Sequence, residues 1–296
     1  MPSCGPWDVA GRGCGRAAPS GAAATATADE QWGLHMDDET AQDPQITALL
    51  RKLLAEVPAL RKRGQSIVRA DTRGPGSLAQ FDGQHRLGRF VWELAPASLD
   101  VAGDHLETRR RLIEDARAQP AWAHVTLLRG AIENAAFCRW LVDTRATSPE
   151  RVRRGVAAQL KDWDERRKFE EASGADKLPR TGEARTGRER VDELLRLRPA
   201  HGVAELQVPD FITLCGTYAI AAGLGGNALY RLASAFAHGK QWTLLVSDSE
   251  PPEGANPNEP GPRRVTASGP VSVGVTLCAV HTFEAAVADL EHYAGS

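Results

Sequence analysis

The sequence predicts an all-α protein, a multi-helix bundle of about six to eight helices. Two observations favour this fold class. Apolar residues recur at i, i+3, i+4 spacing along several long stretches, and most of the chain before Gly223 has helical rather than strand periods. A chain of 296 residues can also bury a substantial core. We therefore expect a single helical domain over residues 43–296.

The N-terminal segment, residues 1–42, differs in composition from the rest of the chain. It is rich in Ala, Gly, Ser, Thr and Pro and has almost no large aliphatic side chains. Such a segment buries too little apolar surface to offset the entropy cost of ordering, so we expect a disordered N-terminal arm. Met36 lies just before the first predicted helix, so translation from Met36 is an alternative to translation from Met1.

Helix signals begin at Asp43, a good N-cap, and at Pro44, which suits the first helical position. Apolar residues at helical spacing continue from there to about residue 60. Residues 65–95, with a glycine-rich turn at 73–76, show no clear pattern. Further elements are expected in this order: helices at about 97–118, 121–143, 148–172, 188–197, 210–222 and 227–238, an exposed proline-rich loop at 249–262, and a closing helix at about 271–293.

The charge balance gives no electrostatic reason to expect a broad nucleic-acid-binding or membrane-binding surface. The formal net charge is −2 and the isoelectric point is near 6.5. Six of the 36 basic residues are lysines and the rest are arginines, which is typical of coding bias in a GC-rich genome. Arginine abundance is therefore weak evidence for phosphate binding.

Cysteine usage indicates a reducing compartment. The five cysteines, at positions 4, 14, 138, 215 and 278, form an odd, scattered set without a zinc-ligand spacing. We expect no metal and no cofactor. The sequence also has no signal-peptide core and no apolar run long enough to span a bilayer, which predicts a soluble cytoplasmic protein without a membrane partner.

The segment 227–239 contains the main candidate site. On a helix its polar side chains follow i, i+4, i+7, i+11 spacing and fall on one narrow stripe: Asn227, Arg231, Ser234 and His238. An arginine can hold a phosphate, and a histidine can move a proton near neutral pH. We therefore assign Arg231 and His238 as candidate catalytic residues, with Asn227 and Ser234 orienting the substrate. The same stripe also fits the solvated face of an amphipathic helix.

Other charged residues are interpreted as structural. Within the apolar segment 121–143, Arg129 and Glu133 lie four residues apart and are expected to form an ion pair, since an unpaired buried charge is destabilising by about 3–5 kcal/mol. This pair would support the site if it positions Arg231. The three arginines at 109–111 are expected to form a solvated helix face.

A glycine motif suggests an alternative function. Gly223-x-Gly225-x-x-Ala228, followed about 20 residues later by Asp248, matches a dinucleotide-binding turn and its ribose-binding acid. That interpretation requires residues 218–222 to form a strand beside further parallel strands.

The pattern Arg231-x6-His238 in a late helix resembles the arginine–histidine signature of the HEPN superfamily, the nucleotide-binding helical domains of higher eukaryotes and prokaryotes. A wider set of motifs looks like a group of bacterial proteins over about residues 95–245: Leu128-Arg129-x3-Glu133, Trp140-Leu141, Arg151-x2-Arg154 and Tyr230-Arg231-x2-Ser234-x3-His238-Gly239. The resemblance implies a HEPN-like core over these residues.

In that superfamily the signature often implies a metal-independent ribonuclease, in which Arg and His from two protomers meet at a dimer interface. The ribose 2′-hydroxyl then attacks the adjacent phosphate. Two features depart from the pattern. The spacing from Arg231 to His238 is at the long end of the usual range, and Leu232 occupies a position where active members commonly carry a polar residue. Many relatives bind nucleotides or partners without cleaving RNA.

We therefore expect an RNA- or nucleotide-binding homodimer. We further expect endoribonuclease activity in a toxin or phage-defence system. Two alternatives stay open at this point. One is a non-catalytic interaction or dimerisation module, and the other is a dinucleotide-binding enzyme.

Overall fold

The computed structural model describes residues 43–69, 74–115, 122–175, 185–221, 225–250 and 264–295. Contacts divide the chain into a unit of residues 1–40 and a unit of residues 41–296, and every described residue belongs to the second unit. The predicted disorder of residues 1–42, together with Met36, lies outside the described residues.

The described chain is all-α apart from one short two-stranded ribbon, so the predicted fold class is confirmed. Its helices are α1 (Pro44–Leu54), α2 (Val57–Arg69), α3 (Leu78–Gln84), α4 (Arg89–Glu114), α5 (Ala123–Leu141), α6 (Ser148–Ser173), α7 (Gly187–Ala200), α8 (Phe211–Tyr218), α9 (Gly226–Ala237) and α10 (Gly269–Ala294). A 3-10 helix at Gln241–Val246 follows α9. Strands β1 (Ser247–Glu250) and β2 (Arg264–Ala267) pair antiparallel, with Ser247 opposite Ala267.

Several helix boundaries differ from the prediction, and the helix expected at 210–222 ends at Tyr218. The first predicted helix is two helices, because α1 ends at Leu54 and α2 begins at Val57 with Pro58 in its first turn. A proline is tolerated there, since its missing N–H would have no partner in the helix. Helix α4 begins well before residue 97 and contains Pro96, which is buried in the core.

The structure corrects two further expectations, one at β1 and one after α8. The loop predicted at 249–262 overlaps β1, which extends to Glu250, and residues 251–263 lie outside the described part of the chain. The dinucleotide alternative needs a strand at 218–222, but Tyr218 is the last residue of α8 and residues 219–221 are not in a strand. Among the described residues the sheet has two antiparallel strands, whereas the alternative requires parallel ones.

Helices α5 and α10 form the centre of the core. Helix α5 packs against α4, α8, α9 and α10, and α10 also packs against α1, α2 and α3. Of the helices described, α10 alone is long and apolar enough to cross a membrane. Within its apolar stretch of 18 residues, 56% is buried inside the protein. The expectation that the chain lacks any apolar run of this length is therefore wrong. The burial is what a central core helix shows, because neighbours surround it on several sides.

Helices α4 and α5 pack closely and run antiparallel. The His105 ring of α4 lies on Gly130 of α5, where a Cβ atom would come within 2.7 Å of the ring Nε2. Nearer the start of α4, Val101 lines the same groove as Asn134 and Phe137 of α5. In the same direction along the interface, residue numbers increase in α4 and decrease in α5. Glycine at 130 is what permits this close approach.

The three arginines predicted as a solvated face divide between surface and core. Arg110 and Arg111 hydrogen-bond to Glu107 one turn earlier on α4. Arg109 instead points into the protein and is 0% exposed. The prediction is therefore wrong for Arg109, because successive helix positions are about 100° apart and the middle of the core-facing stripe falls on this residue.

A buried ion pair joins three helices. Arg151 of α6 donates from Nε and Nη2 to the Asp82 carboxylate of α3, at 2.7 and 3.0 Å. Tyr293 of α10 donates its hydroxyl to the same carboxylate at 3.0 Å. Asp82 and Arg151 are 0% and 2% exposed. Loss of either charge would leave the other buried and uncompensated.

Replacing Asp82 with Asn should lower the free energy of unfolding by about 3–5 kcal/mol, because Arg151 would stay buried without its counter-charge. The exposed Arg89–Glu93 pair provides the control. Glu93→Gln should change stability by less than about 1 kcal/mol. Urea denaturation followed by far-UV circular dichroism measures both variants, and equally small changes would contradict a structural role for the buried pair.

Candidate functional site

The predicted stripe lies on the outer face of α9, which packs on α5 and α8. The opposite face of α9 is buried: Leu229, Tyr230, Ala233 and Phe236. On the outer face, Asn227 and Arg231 are exposed and Ser234 is half-buried. The stripe thus leaves Asn227 and Arg231 open to solvent at the start and middle of the helix.

His238 lies at the end of this stripe, immediately after the last residue of α9. Gly239 follows with a φ of 59°, the left-handed conformation that commonly ends a helix. The chain then turns into the 3-10 helix. His238 is exposed at this turn, and its ring extends back towards α5.

Arg129 of α5 is held by two neighbours. Its Nε donates to Glu133 Oε1 at 2.7 Å, one turn along the same helix. The Tyr230 hydroxyl of α9 donates to the same carboxylate oxygen at 2.9 Å and lies 3.5 Å from Arg129 Nη2. The guanidinium also lies over the Tyr230 ring, 5.7 Å from its centroid. The expected Arg129–Glu133 ion pair is present, and it is linked to α9 through Tyr230.

The remaining arm of Arg129 contacts His238. Arg129 Nη1 lies 3.0 Å from His238 Nε2. A guanidinium can only donate hydrogen bonds, so Nε2 accepts this one and the proton of the neutral ring is on Nδ1. A fixed cation and a proton acceptor therefore meet at an exposed position between α5 and α9.

The charges within this cluster stabilise one another. Burial opposes the charged form of Arg129, but the hydrogen-bonded Glu133 carboxylate raises the pKa of Arg129 above its usual value. Burial, followed by the nearby Glu133 charge, raises the pKa of Tyr230 to about 12. Tyr230 thus stays protonated at neutral pH and keeps donating to Glu133.

Arg231 lies elsewhere on α9. Its charge acts on Asp210, the N-cap of α8, whose pKa is lowered first by hydrogen bonds from Thr213 and further by Arg231. Arg231 and His238 are seven positions apart, which is about 10 Å along a helix axis. The arginine that contacts His238 is Arg129.

Tyr230 is the member of the cluster that the sequence did not single out. It lies between apolar positions on the buried side of α9, so its spacing is that of a core residue. The one available signal was its place directly before Arg231 in the motif quoted above. Its phenol becomes important only because Glu133, 97 residues away in sequence, lies within hydrogen-bond distance.

The thiols and potential metal ligands do not suggest another chemistry. Cys138, Cys215 and Cys278 are buried, and burial raises the pKa of each thiol, that of Cys278 to about 11. Such thiols are poor nucleophiles. Over the described residues no group of three His, Cys, Asp or Glu side chains is arranged to hold a metal ion.

Comparisons with protein-family models, curated proteins and solved structures give no significant match to this chain. The resemblance to the HEPN superfamily therefore rests on the residues quoted in the sequence analysis.

Arg129→Met should change the tautomer of His238. In the native protein Arg129 keeps Nε2 as an acceptor. Without it, the form protonated at Nε2, the more common tautomer of a free imidazole, should predominate. Nitrogen-15 chemical shifts of the ring measure the change, and the exposed His292 at the end of α10 is the internal control. Unchanged His238 shifts would contradict the contact.

Proposed function

We propose that this protein binds RNA or a nucleotide through its phosphate and cleaves RNA without a metal ion, using His238 and Arg129. The observation that supports this most directly is the 3.0 Å contact between Arg129 Nη1 and His238 Nε2. It gives one exposed position both a cation and a proton acceptor. A HEPN-like core over about residues 95–245 and a role in a toxin or phage-defence system belong to the same proposal.

The proposed reaction is an internal transfer at the phosphate. A phosphodiester oxygen takes the hydrogen bond from Arg129 Nη1, which frees the Nε2 lone pair of His238. Nε2 then removes the proton of the ribose 2′-hydroxyl, and the 2′-oxygen attacks the adjacent phosphorus. The bond from phosphorus to the 5′-oxygen breaks, and that oxygen takes a proton from the imidazolium. The products are a 2′,3′-cyclic phosphate and a 5′-hydroxyl.

Arg129 supplies the electrostatic part of this reaction. A guanidinium held by Glu133 and Tyr230 needs little rearrangement when negative charge develops on the phosphate. Glu133 neutralises part of the charge, but Nη1 still points towards His238 rather than the carboxylate. Arg231, exposed about two turns earlier on α9, would contact a neighbouring phosphate of the same strand. Asn227 and Ser234 lie on the same face and would orient the substrate.

An exposed apolar patch next to His238 supports the expected homodimer. Trp242, Leu244 and Val246, all on the 3-10 helix, are 47%, 49% and 36% exposed. Exposed large apolar side chains are typical of protein–protein interfaces. A second protomer at this patch would lie beside His238 and Arg129 and cover one side of the site.

The same patch favours the second candidate function, a non-catalytic interaction module. In that case the 3-10 helix and the outer face of α9 form a binding surface, and the Arg129–His238 contact serves to fix its shape. This candidate predicts association without RNA cleavage.

His238→Ala should reduce RNA cleavage by at least about 100-fold, because the general base is lost. The assay incubates purified protein with a mixed RNA pool and excess chelator and detects 2′,3′-cyclic phosphate ends.

Arg129→Met should cause a similar loss, since a fixed charge at a developing anion contributes about 100-fold or more. Circular dichroism establishes that both variants are folded.

The matched controls for this assay are His292→Ala and Arg196→Ala, which remove an exposed histidine and an exposed arginine elsewhere on the helices. Both should cleave at the native rate. Cleavage retained by His238→Ala would remove His238 from the mechanism. No cleavage by the native protein would favour the interaction module.

Trp242→Ser should convert the dimer to monomer, or raise its dissociation constant at least about tenfold, because it removes a large apolar anchor from the patch. Sedimentation velocity over a range of concentrations measures the change. Phe169→Ser removes the most exposed aromatic ring of α6, which is 69% exposed, and should leave the oligomeric state unchanged. A monomeric native protein would contradict the dimer.

A further inference from the structure

Arg109 is a fully buried cation with too few partners. It is 0% exposed, and among the described residues its one side-chain hydrogen bond runs from Nη2 to Ser272 Oγ at a long 3.3 Å. In the part of the chain that the structure describes, the buried Nε and Nη1 atoms have no acceptor. Burial lowers the pKa of Arg109 to about 10, and no carboxylate of the described residues offsets this effect. An unpaired buried charge is strongly destabilising.

The carboxylates closest in sequence serve other arginines. Glu107 accepts hydrogen bonds from Arg110 and Arg111, and chiefly the bond from Arg110 lowers the pKa of Glu107 to about 2. Glu114 pairs with Arg110 as well. Neither carboxylate bonds to Arg109, whose guanidinium points into the core. Arg109 thus differs from Arg151, another buried arginine, which has Asp82 as its counter-charge.

The surroundings of Arg109 are themselves positive. Ser272 lies in the first turn of α10, a 26-residue helix, so the guanidinium contacts the positive end of a helix dipole. The antiparallel register that places His105 on Gly130 puts Arg109, one turn further on, level with about residue 126 in the first turn of α5. Trp122, the N-cap of α5, provides no side-chain cap. The guanidinium therefore lies at the start of α10, and the register of α4 on α5 places it near the start of α5 as well.

We propose that Arg109 and the first turns of α10 and α5 form a buried site for a phosphate-type oxyanion, separate from the Arg129–His238 site. A tetrahedral oxyanion can accept two hydrogen bonds from the guanidinium fork, and the dipoles of the two helices favour its negative charge. The α10 N–H groups of Val271 and Ser272 are already bonded to Ser268, so the guanidinium supplies the direct contacts. It supplies the negative charge that Arg109 lacks. The group is either free phosphate or the phosphate of a small nucleotide.

The test measures the melting temperature while sodium phosphate or AMP is added, with sodium chloride matched for ionic strength. The native protein should be stabilised by about 5 °C at a hundredfold excess over Kd. Arg109→Met, which removes the charge but keeps the length, should lose this response. Arg110→Met removes the adjacent surface arginine and should keep it. A response to phosphate alone identifies free phosphate, and a stronger response to AMP identifies a nucleotide.

Two further measurements keep the outcome decisive. Phosphorus-31 NMR titration of the native protein should show one bound phosphate per chain, and Arg109→Lys should bind it at least about tenfold more weakly, because lysine lacks the planar fork. These readouts apply even if Arg109→Met does not fold. Arg129→Met should keep the response, which separates this site from the proposed ribonuclease. No response in the native protein, or an equal one in Arg109→Met, would overturn the proposal.

Discussion

The close antiparallel packing of α4 on α5 determines where the charged side chains of the core can lie. Gly130 allows the His105 ring to rest directly on the backbone of α5. With that register set, Arg129 and Glu133 face α9 from the middle of α5, and Arg109 enters the core about one turn nearer the start of α5. A larger residue at position 130 would separate the helices and shift both groups together.

Three arginines in or beside the core differ in the partners that bind their guanidinium groups. Arg151 has a carboxylate and a tyrosine hydroxyl to satisfy it, which makes it a structural link between α3, α6 and α10. Arg129 has a partner on each nitrogen, but one of these partners is an exposed histidine that a ligand can displace. Arg109 has a single hydroxyl partner within the described residues. The less complete the satisfaction, the stronger the reason to expect a ligand.

The sequence predicted the helices well and their ends less well. Apolar spacing identified the central helix at 121–143, observed as Ala123–Leu141, because burial on all sides leaves a long apolar run. It could not place the start of α4, since tertiary packing tolerates Pro96 inside a helix. The stripe on α9 followed from local spacing, whereas the contact of His238 with Arg129 joins residues 109 apart. No local pattern encodes such a contact.

Helix α10 also has a consequence for how the chain folds. Its contacts reach far back in sequence: Glu291 pairs with Arg63 across 228 residues, and Tyr293 bonds to Asp82 across 211. Helical proteins usually fold fast because their contacts are local. Here the centre of the core is completed only when distant segments meet, so loop-closure entropy opposes the docking of α10. Until α10 docks, the apolar face of α5 stays open to water and to other chains.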